Sequence, residues 1–352
     1  MSSSKINWSE LFPTPFSAFI FVLYIALFVN QGILVTASQK EGSKYEYDIV
    51  TVVLLTEFLK LLTSIILYCR EHTFSSLVQD SVKSRKVLYL YFVPAFLYCL
   101  YNNLAFVNLA TFDPTTYYLL LQFRVVATAV LFQVIFKKQL SRKQWLSLIL
   151  LTTGCMLKGW NFTVQDQSDT KDKNAAHTKS TSITLDINAI LIFVQLMCSC
   201  LAGVYNEYLL KKPGADTHIF IQNVFMYLDS ILCNVFLLIL QGNLSSFSIE
   251  NMGKIFHYKV ILIMINNTAA GIVTSFFLKN MNSILKTFAA ALELIFTAVL
   301  SYVLFSIPIY LNTILAISVV LFSIYLYSQN PVSNTKTTKT SPEEKETLLE
   351  DV

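Results

Sequence analysis

Apolar runs of about twenty residues alternate with short polar breaks along almost the whole chain. They fall near residues 15–36, 48–69, 87–109, 114–136, 143–160, 184–210, 217–240, 257–278, 282–305 and 308–328. A run of that length crosses about 30 Å of hydrocarbon as a helix, which pairs its backbone polar groups within itself. The pattern predicts an all-α, polytopic membrane protein with ten transmembrane helices. The first run has no basic lead-in and no small-residue cleavage site, so it is expected to stay as a membrane helix. The breaks divide the chain into a cytosolic N-terminal segment (1–14), a first five-helix membrane half (15–160), a lumenal linker (161–183), a second five-helix half (184–328) and a cytosolic tail (329–352) polar enough to predict disorder.

The two halves echo each other. Thr-Ala-Val-Leu-Phe-Gln-Val-Ile-Phe at 128–136 aligns without gaps on Thr-Ala-Val-Leu-Ser-Tyr-Val-Leu-Phe at 297–305, pairing the fourth span with the ninth at an offset of 169. Five spans is an odd number, so a repeat of that length is inverted in the membrane. Inverted repeats with a site at their interface are the build of many secondary transporters, in which one half rocks against the other. The alternative is coincidence between two Val/Leu-rich helices, and matching polar residues upstream argue against it.

Charge sets the expected orientation. With the N-terminus in the cytosol, cytosolic segments hold fifteen Lys and Arg and lumenal segments eight, which places both termini in the cytosol. The sequons Asn161-Phe-Thr163 and Asn243-Leu-Ser245 then fall in lumenal loops. In the tail, Glu344-Lys-Glu-Thr-Leu348-Leu349 resembles an acidic dileucine sorting signal and Val352 an export signal from the endoplasmic reticulum.

Composition removes several function classes. The chain is 54% hydrophobic and 14% charged, against about 25% charged in soluble domains, which excludes a soluble multi-domain enzyme. A net charge of +4 spread over short loops leaves no nucleic-acid footprint. The six cysteines lie in apolar runs and predict no disulfide framework, and Cys198-Ser-Cys200 is too short and dry for a metal site. H-E-x-x-H, Walker and G-x-S-x-G motifs are absent. The expectation is a non-enzyme with no cofactor and no metal.

Charges inside the spans are the candidate chemistry, because each costs at least about 2.5 kcal/mol on insertion scales. They are Glu57 and Lys60 in span two, Arg124 in span four and Glu293 in span nine, with Lys286 near the start of span nine. The 169-residue offset pairs Arg124 with Glu293 and Tyr117 with Lys286, which predicts opposite charges facing one central cavity. Tyr117, Gln122 and Arg124 bring a phenol, an amide and a guanidinium onto span four. A guanidinium fork suits phosphate and Lys286 adds a compact second charge, so the pairing points to a phosphate-bearing anion; a structural ion pair or a snorkelling side chain is the alternative. Glu57 and Lys60, three residues apart, are able to neutralise each other. Tyr98, Tyr101, Asn102 and Asn103 in span three, and Asn266 and Asn267 in span eight, either hold a nucleobase or join neighbouring helices. Tyr205, Asn206 and Glu207 read equally as a gate or as part of an interfacial belt.

Several strings taken together resemble the nucleotide-sugar transporter family. They are Tyr117-Tyr-Leu-Leu-Leu-Gln122-Phe-Arg124 with Leu140-Ser-Arg-Lys-Gln144-Trp145, Glu57-Phe-Leu-Lys60-Leu-Leu, Tyr101-Asn-Asn103-Leu-Ala, Ala202-Gly203-Val-Tyr205-Asn-Glu207 with Lys211, Gln222-Asn223, and Gly271-Ile-Val-Thr274 leading to Lys279, Asn282-Ser-Ile-Leu-Lys286 and Phe288. The branch resembled contains UDP-galactose, UDP-N-acetylglucosamine and CMP-sialic acid transporters. The resemblance implies a ten-helix fold of the drug/metabolite transporter type, with Arg124 and Lys286 at the phosphates and tyrosines and asparagines of spans three, four and six at base and ribose. The chain departs from the family at Arg124, where lysine is usual, at Tyr118, where glutamine is usual, and at Glu293, where small residues are usual.

The resulting expectation is an antiporter that imports a nucleotide sugar, with a UDP-sugar such as UDP-galactose as leading candidate, in exchange for the nucleoside monophosphate by alternating access. The setting is the Golgi membrane, with the endoplasmic reticulum or the endosome/lysosome as alternative. The expected partners are the nucleotide sugar, the monophosphate and the bilayer, not nucleic acid, with a homodimer or a complex with glycosyltransferases as further expectations. Competing readings are a non-transporting scaffold or regulator that kept the fold, a carrier of another phosphorylated anion, and a membrane-embedded transferase. The residues expected to bind substrate are Arg124, Lys286, Tyr117, Gln122, Tyr98, Tyr101, Asn102, Tyr205, Glu57, Lys60 and Glu293.

Overall fold

The computed structural model describes residues 8–38, 49–111, 117, 120–159, 187–240, 257–305, 311–329 and 331–332. The two sequons, Tyr118, the lumenal linker and the tail signals lie outside the described residues. In chain order the helices are α1 (Trp8–Leu11), α2 (Pro15–Ser38), α3 (Ile49–Cys69), α4 (Phe74–Lys83), α5 (Arg85–Thr111), α6 (Arg124–Phe136), α7 (Arg142–Gly159), α8 (Ile187–Lys211), α9 (Ile219–Leu240), α10 (Tyr258–Asn280), α11 (Ser283–Phe305) and α12 (Leu311–Ser328). Among the described residues every regular element is a helix. Seven of them, α2, α3 and α8 to α12, are long and apolar enough to cross a membrane. The chain is therefore an all-helical, multi-pass membrane protein.

Local sequence starts these helices where the polar breaks predict. Thr14 and Ser17 cap α2 reciprocally: the Ser17 N–H donates to Thr14 Oγ1 at 3.1 Å and the Thr14 N–H to Ser17 Oγ at 3.2 Å, with Pro15 at the first helical position. Ser141 and Gln144 form the same kind of box at α7, at 3.3 and 2.7 Å. Asn282 Oδ1 accepts the Leu285 N–H at 2.7 Å and opens α11. Each cap satisfies an N–H that the first helical turn leaves orphaned, which matters most where water is scarce.

The fourth apolar run is less regular than its hydropathy suggests. Gln122 and Phe123 form a turn ahead of α6, where Phe123 and Val125 each donate their N–H three residues back, to Leu120 and Gln122. Arg124 therefore stands in the first turn of α6, a 13-residue helix.

Packing inverts the pattern of a soluble protein. Phe19, Ile66, Phe92, Val134, Phe193 and Phe236 are exposed on the outside of the bundle, while Ser64, Ser147, Gln195, Gln222 and Ser323 are buried within it. In lipid an exposed phenylalanine costs nothing, whereas an inward polar group needs a partner. The helices pack as α2 with α10 and α11, α5 with α8 and α9, α3 with α9 and α10, α6 with α8 and α11, and α7 with α12. The α7–α12 pair is closely set, because a Cβ built on Gly154 would lie 2.9 Å from Val320 Cγ2 and 3.3 Å from the Val320 backbone nitrogen. Ser323 Oγ also donates to the Ser147 carbonyl there, at 2.6 Å. This pair packs on α6 and α11 at one side of the bundle, with Tyr327 stacked on Phe288 at 4.3 Å between ring centroids, and the long helices together surround a polar interior.

Candidate functional site

The interior of the bundle holds a cavity with two lobes that share Phe28, Tyr98 and Lys286. The first lobe, about 340 Å³, lies among α2, α3, α5, α9 and α10, and Glu57, Lys60, Asn102, Tyr227, Asn234 and Asn267 contribute to its wall. The second, about 410 Å³, lies among α2, α5, α6, α8 and α11, and Tyr24, Tyr101, Gln122, Arg124 and Glu293 contribute to its wall.

In the first lobe Lys60 Nζ donates to Glu57 Oε1 at 2.8 Å and lies over the Tyr227 ring, 5.6 Å from its centroid. The pair is about 15% exposed on each side chain, so it faces the cavity instead of being sealed in the helix packing. Space for the lysine comes from Gly271 on α10. A Cβ there would sit 2.8 Å from Lys60 Cε and 3.2 Å from the Tyr227 hydroxyl. Asn234 is held by donating to the Ser230 carbonyl at 2.7 Å and by accepting the Cys99 thiol at 3.4 Å. Asn267 differs, because its buried Oδ1 has no hydrogen-bond partner among the described residues.

The second lobe gathers Arg124 from the start of α6 with Lys286 and Glu293 from α11. Lys286 and Glu293 are seven residues apart, two helical turns, and so lie on one face about 10 Å apart along the axis. Opposite charges from the fourth and ninth apolar runs thus line one lobe, as the 169-residue offset predicts. Cys200 on α8 packs beside them and donates its thiol to the Arg124 carbonyl at 3.4 Å.

Beside the second lobe a buried carboxylate joins two helices. Glu207, near the end of α8, accepts the Ser283 N–H at 2.7 Å and the Ser283 hydroxyl at 2.6 Å through Oε2. Its Oε1 accepts Lys211 Nζ at 2.8 Å, and Lys211 also donates to the Met281 carbonyl. Glu207 therefore ties α8 to the first turn of α11, where a helix dipole favours negative charge.

The structure brings nine of the eleven expected residues to the cavity: Glu57, Lys60 and Asn102 to the first lobe, Tyr101, Gln122, Arg124 and Glu293 to the second, and Tyr98 and Lys286 to both. Tyr117 and Tyr205 are not among them. Tyr117 is buried against α8, where Gln195 Nε2 donates to its hydroxyl at 2.7 Å while Gln195 Oε1 accepts from Asn108 at 2.7 Å. Helical spacing put Tyr117 on the Arg124 face; the turn at Gln122–Phe123 between them breaks that register. Tyr205 packs against Tyr208, ring centroids 5.9 Å apart, beside a buried cluster that includes Tyr91 and Phe225. Of the paired asparagines in α10, Asn266 is committed to α2, donating to the Leu27 carbonyl at 2.9 Å and accepting from Asn30 at 2.8 Å, whereas Asn267 lines the first lobe. Gln31, Tyr227 and Asn234 line the cavity without having been singled out from the sequence, whereas Asn267 is one of the asparagines that the sequence marks as holding a nucleobase or joining helices. Asp229 is buried on α9 outside both lobes.

Among the described residues, Glu71, His72 and His218 could hold a metal ion, their ligand atoms lying within 4.8 Å of one another. None of the three lines the cavity.

A multi-pass helical bundle around a polar cavity lined by Lys60, Arg124 and Lys286 from three helices fits a membrane protein of the carrier type. A sequence profile described as nucleotide-sugar transporter matches residues 16–328, and the chain belongs to that family, whose members are transporters and not enzymes. It is 60% identical over 349 residues to a UDP-galactose transporter, senju, of Drosophila melanogaster, covering 93% of this chain and 90% of the relative. It is 29% identical over 309 residues to CMP-sialic acid transporter 1 of Oryza sativa subsp. japonica (87% and 92% of the two chains) and 33% identical over 322 residues to CMP-sialic acid transporter 3 of Oryza sativa subsp. indica (86% and 74%). A solved structure titled only as a crystal structure of protein superposes with a TM-score of 0.60 at 10% identity, covering 90% of this chain and 97% of its own, a likeness of fold alone.

Proposed function

We propose that this protein exchanges a UDP-sugar, UDP-galactose first, for UMP across the Golgi membrane. The observation that carries the reading is the meeting of Arg124 and Lys286, from α6 and α11, at one lobe of a polar intramembrane cavity. A guanidinium fork and an ammonium ion together suit a phosphate chain, and both the nucleotide sugar and the monophosphate present one. The base and hexose are chosen from the 60% identity to a UDP-galactose transporter.

The spans are ten, arranged as inverted halves of α2, α3, α5, α6, α7 and α8 to α12, with both termini in the cytosol. Helix packing supports this arrangement. Exchanging each helix of one half for its counterpart turns α2–α10 into α8–α5, α2–α11 into α8–α6 and α3–α10 into α9–α5, and returns α3–α9, α6–α11 and α7–α12 to themselves; all of these pairs are packed. Two such halves can rock about a fixed central site. The bound anion completes the charge balance of the cavity. Without it, Arg124 and Lys286 would be carried through closure in low dielectric with too little compensation, at a cost of several kcal/mol. Empty return is therefore slow and exchange is obligatory.

The test is uptake of labelled UDP-galactose into proteoliposomes preloaded with UMP, CMP or GMP. Stimulation by UMP alone is expected, and Arg124→Ala or Lys286→Ala should reduce it to the level of empty liposomes while the protein still elutes as a folded species. Undiminished exchange by either variant refutes the role given to these cations. Absence of stimulation by any monophosphate refutes antiport.

A further inference from the structure

Away from the cavity, side chains from the two halves of the chain meet at one end of the α3–α9 pair. Glu71 and His72 lie in the turn that ends α3, His218 precedes α9, and their ligand atoms fall within 4.8 Å of one another. We propose that these three residues form a Zn²⁺ site that ties α3 to α9, and that the bound ion acts as a brake on exchange. The brake rests on the exchange reading above; the site does not.

Fixed structure presents all three groups. The N–H groups of Glu71 and His72 both donate to the Tyr68 carbonyl, at 3.2 and 3.0 Å, which folds the turn back over the end of α3. Tyr68 is 1% exposed, and its hydroxyl donates to Asp80 Oδ2 at 2.6 Å. His72 lies against the Tyr68 ring with centroids 4.8 Å apart, and His218 meets the same ring edge-on at 5.3 Å. On the other side, the Gln222 amide donates to the Gly214 and Thr217 carbonyls at 2.7 and 3.0 Å, which pins the backbone entering His218 to the first turn of α9. One buried tyrosine thus carries two imidazoles, one from each half.

The donor set selects the ion. Two imidazole nitrogens and a carboxylate oxygen suit Zn²⁺ with water as fourth ligand, whereas Mg²⁺ and Ca²⁺ take oxygen ligands. His218 Nε2 already lies 3.9 Å from Glu71 Oε2. Bonds of about 2.1 Å in a tetrahedron set ligand atoms about 3.4 Å apart, so binding tightens the cluster by up to about 1.5 Å. The Glu71 side chain, 67% exposed, is free to supply that movement and leaves the ion a path from water. When zinc takes Nε2, His218 carries its proton on Nδ1 and gives up the long 3.3 Å contact from the Phe220 N–H.

The position gives the ion its consequence. α3 belongs to the first five-helix half and α9 to the second, so the bonds to zinc span the two bodies that rock. None of the three residues lines either lobe, so the ion slows the change of state without competing for substrate.

The test uses protein purified without a polyhistidine tag and stripped with a chelator. Titration with ZnCl₂ should raise the thermal unfolding midpoint, by about 5 °C once zinc exceeds its Kd about a hundredfold, and MgCl₂ should not. His72→Asn and His218→Asn should each abolish the zinc shift. Glu71→Gln, at an exposed position that the fold does not need, should reduce it and keeps the test open if a histidine variant does not fold. In proteoliposomes, zinc should lower the maximal rate of UDP-galactose/UMP exchange about fivefold or more in wild type, with KM unchanged, and leave the variants unaffected. No zinc shift in wild type, or an equal shift in all three variants, overturns the site. Zinc binding that leaves the exchange rate untouched overturns the brake. A wild-type protein that shows the zinc shift but exchanges nothing upholds the site and refutes the exchange reading instead.

Discussion

Removing the Glu207 carboxylate tests whether it latches α8 to α11 as the geometry indicates. Glu207 is 1% exposed and accepts three hydrogen bonds, two from Ser283 and one from Lys211. In Glu207→Ala the Ser283 N–H and hydroxyl lose their acceptor inside the bundle, and Lys211 keeps only the Met281 carbonyl and what water reaches a side chain 17% exposed. Breaking one side of a buried ion pair costs about 3–5 kcal/mol, and the partial exposure of Lys211 sets the expected value near the lower figure, about 3 kcal/mol. Glu207→Gln keeps one acceptor oxygen for Ser283 but loses both the charge and the acceptor facing Lys211, where its NH2 cannot accept, so about 2 kcal/mol is expected. Thermal unfolding of the purified protein in detergent should show a midpoint lowered by roughly 5 °C or more for alanine, with glutamine between alanine and wild type. A Glu207→Ala midpoint within about 1 °C of wild type would refute the latch, since three charge-assisted contacts cannot be lost from a buried site at no cost.

The glycines at two helix contacts should separate fold from function. Gly154→Val brings its Cβ to 2.9 Å from a β-branched side chain and 3.3 Å from backbone, neither of which yields, so a loss of about 1–3 kcal/mol in stability is expected by thermal unfolding. Gly271→Ala meets the flexible Lys60 chain at 2.8 Å and the Tyr227 hydroxyl at 3.2 Å, both far ends of side chains that can shift, so the lysine swings aside: stability should fall by no more than about 1 kcal/mol while KM for exchange rises, and an unchanged KM would show that the Glu57–Lys60 geometry is irrelevant to transport. Burial and then the neighbouring His72 hold the His218 imidazole below its ordinary value. The unfolded chain then binds the extra proton below about pH 6.5, so stability is full above that pH and declines beneath it. His218→Asn should flatten this limb in a series of midpoints from pH 7.5 to 5, and a limb of equal slope in the variant would show that other groups cause it.

Much of the architecture was legible because the bilayer imposes a simple rule on sequence. A backbone crossing hydrocarbon must be a long apolar helix, so the runs announced the membrane helices, and any charge left inside one had to have a reason. Arg124, Glu293 and Lys286 stand out on this ground, and all three line the second lobe. The same reasoning failed for Tyr117. Seven residues from Arg124 on an ideal helix, it should share the cavity face, yet the turn at Gln122–Phe123 and the pull of Gln195, 78 residues away, bury it against α8. No local signal carries that contact.

The paired asparagines draw the same boundary more finely. Residues 266 and 267 are chemically identical, and sequence alone marks both as expensive inside a span. Only the packing of α10 on α2, with one residue turned about 100° from the next, commits Asn266 to Asn30 and leaves Asn267 facing the first lobe. The sequence by itself determined that this is a helical membrane protein with cations in its interior, because hydropathy and charge cost depend on residue type and run length. Which of those polar groups join helices and which face the cavity was decided by tertiary structure, because it depends on the rotation of each helix about its axis, and that is set by neighbours far away in the chain.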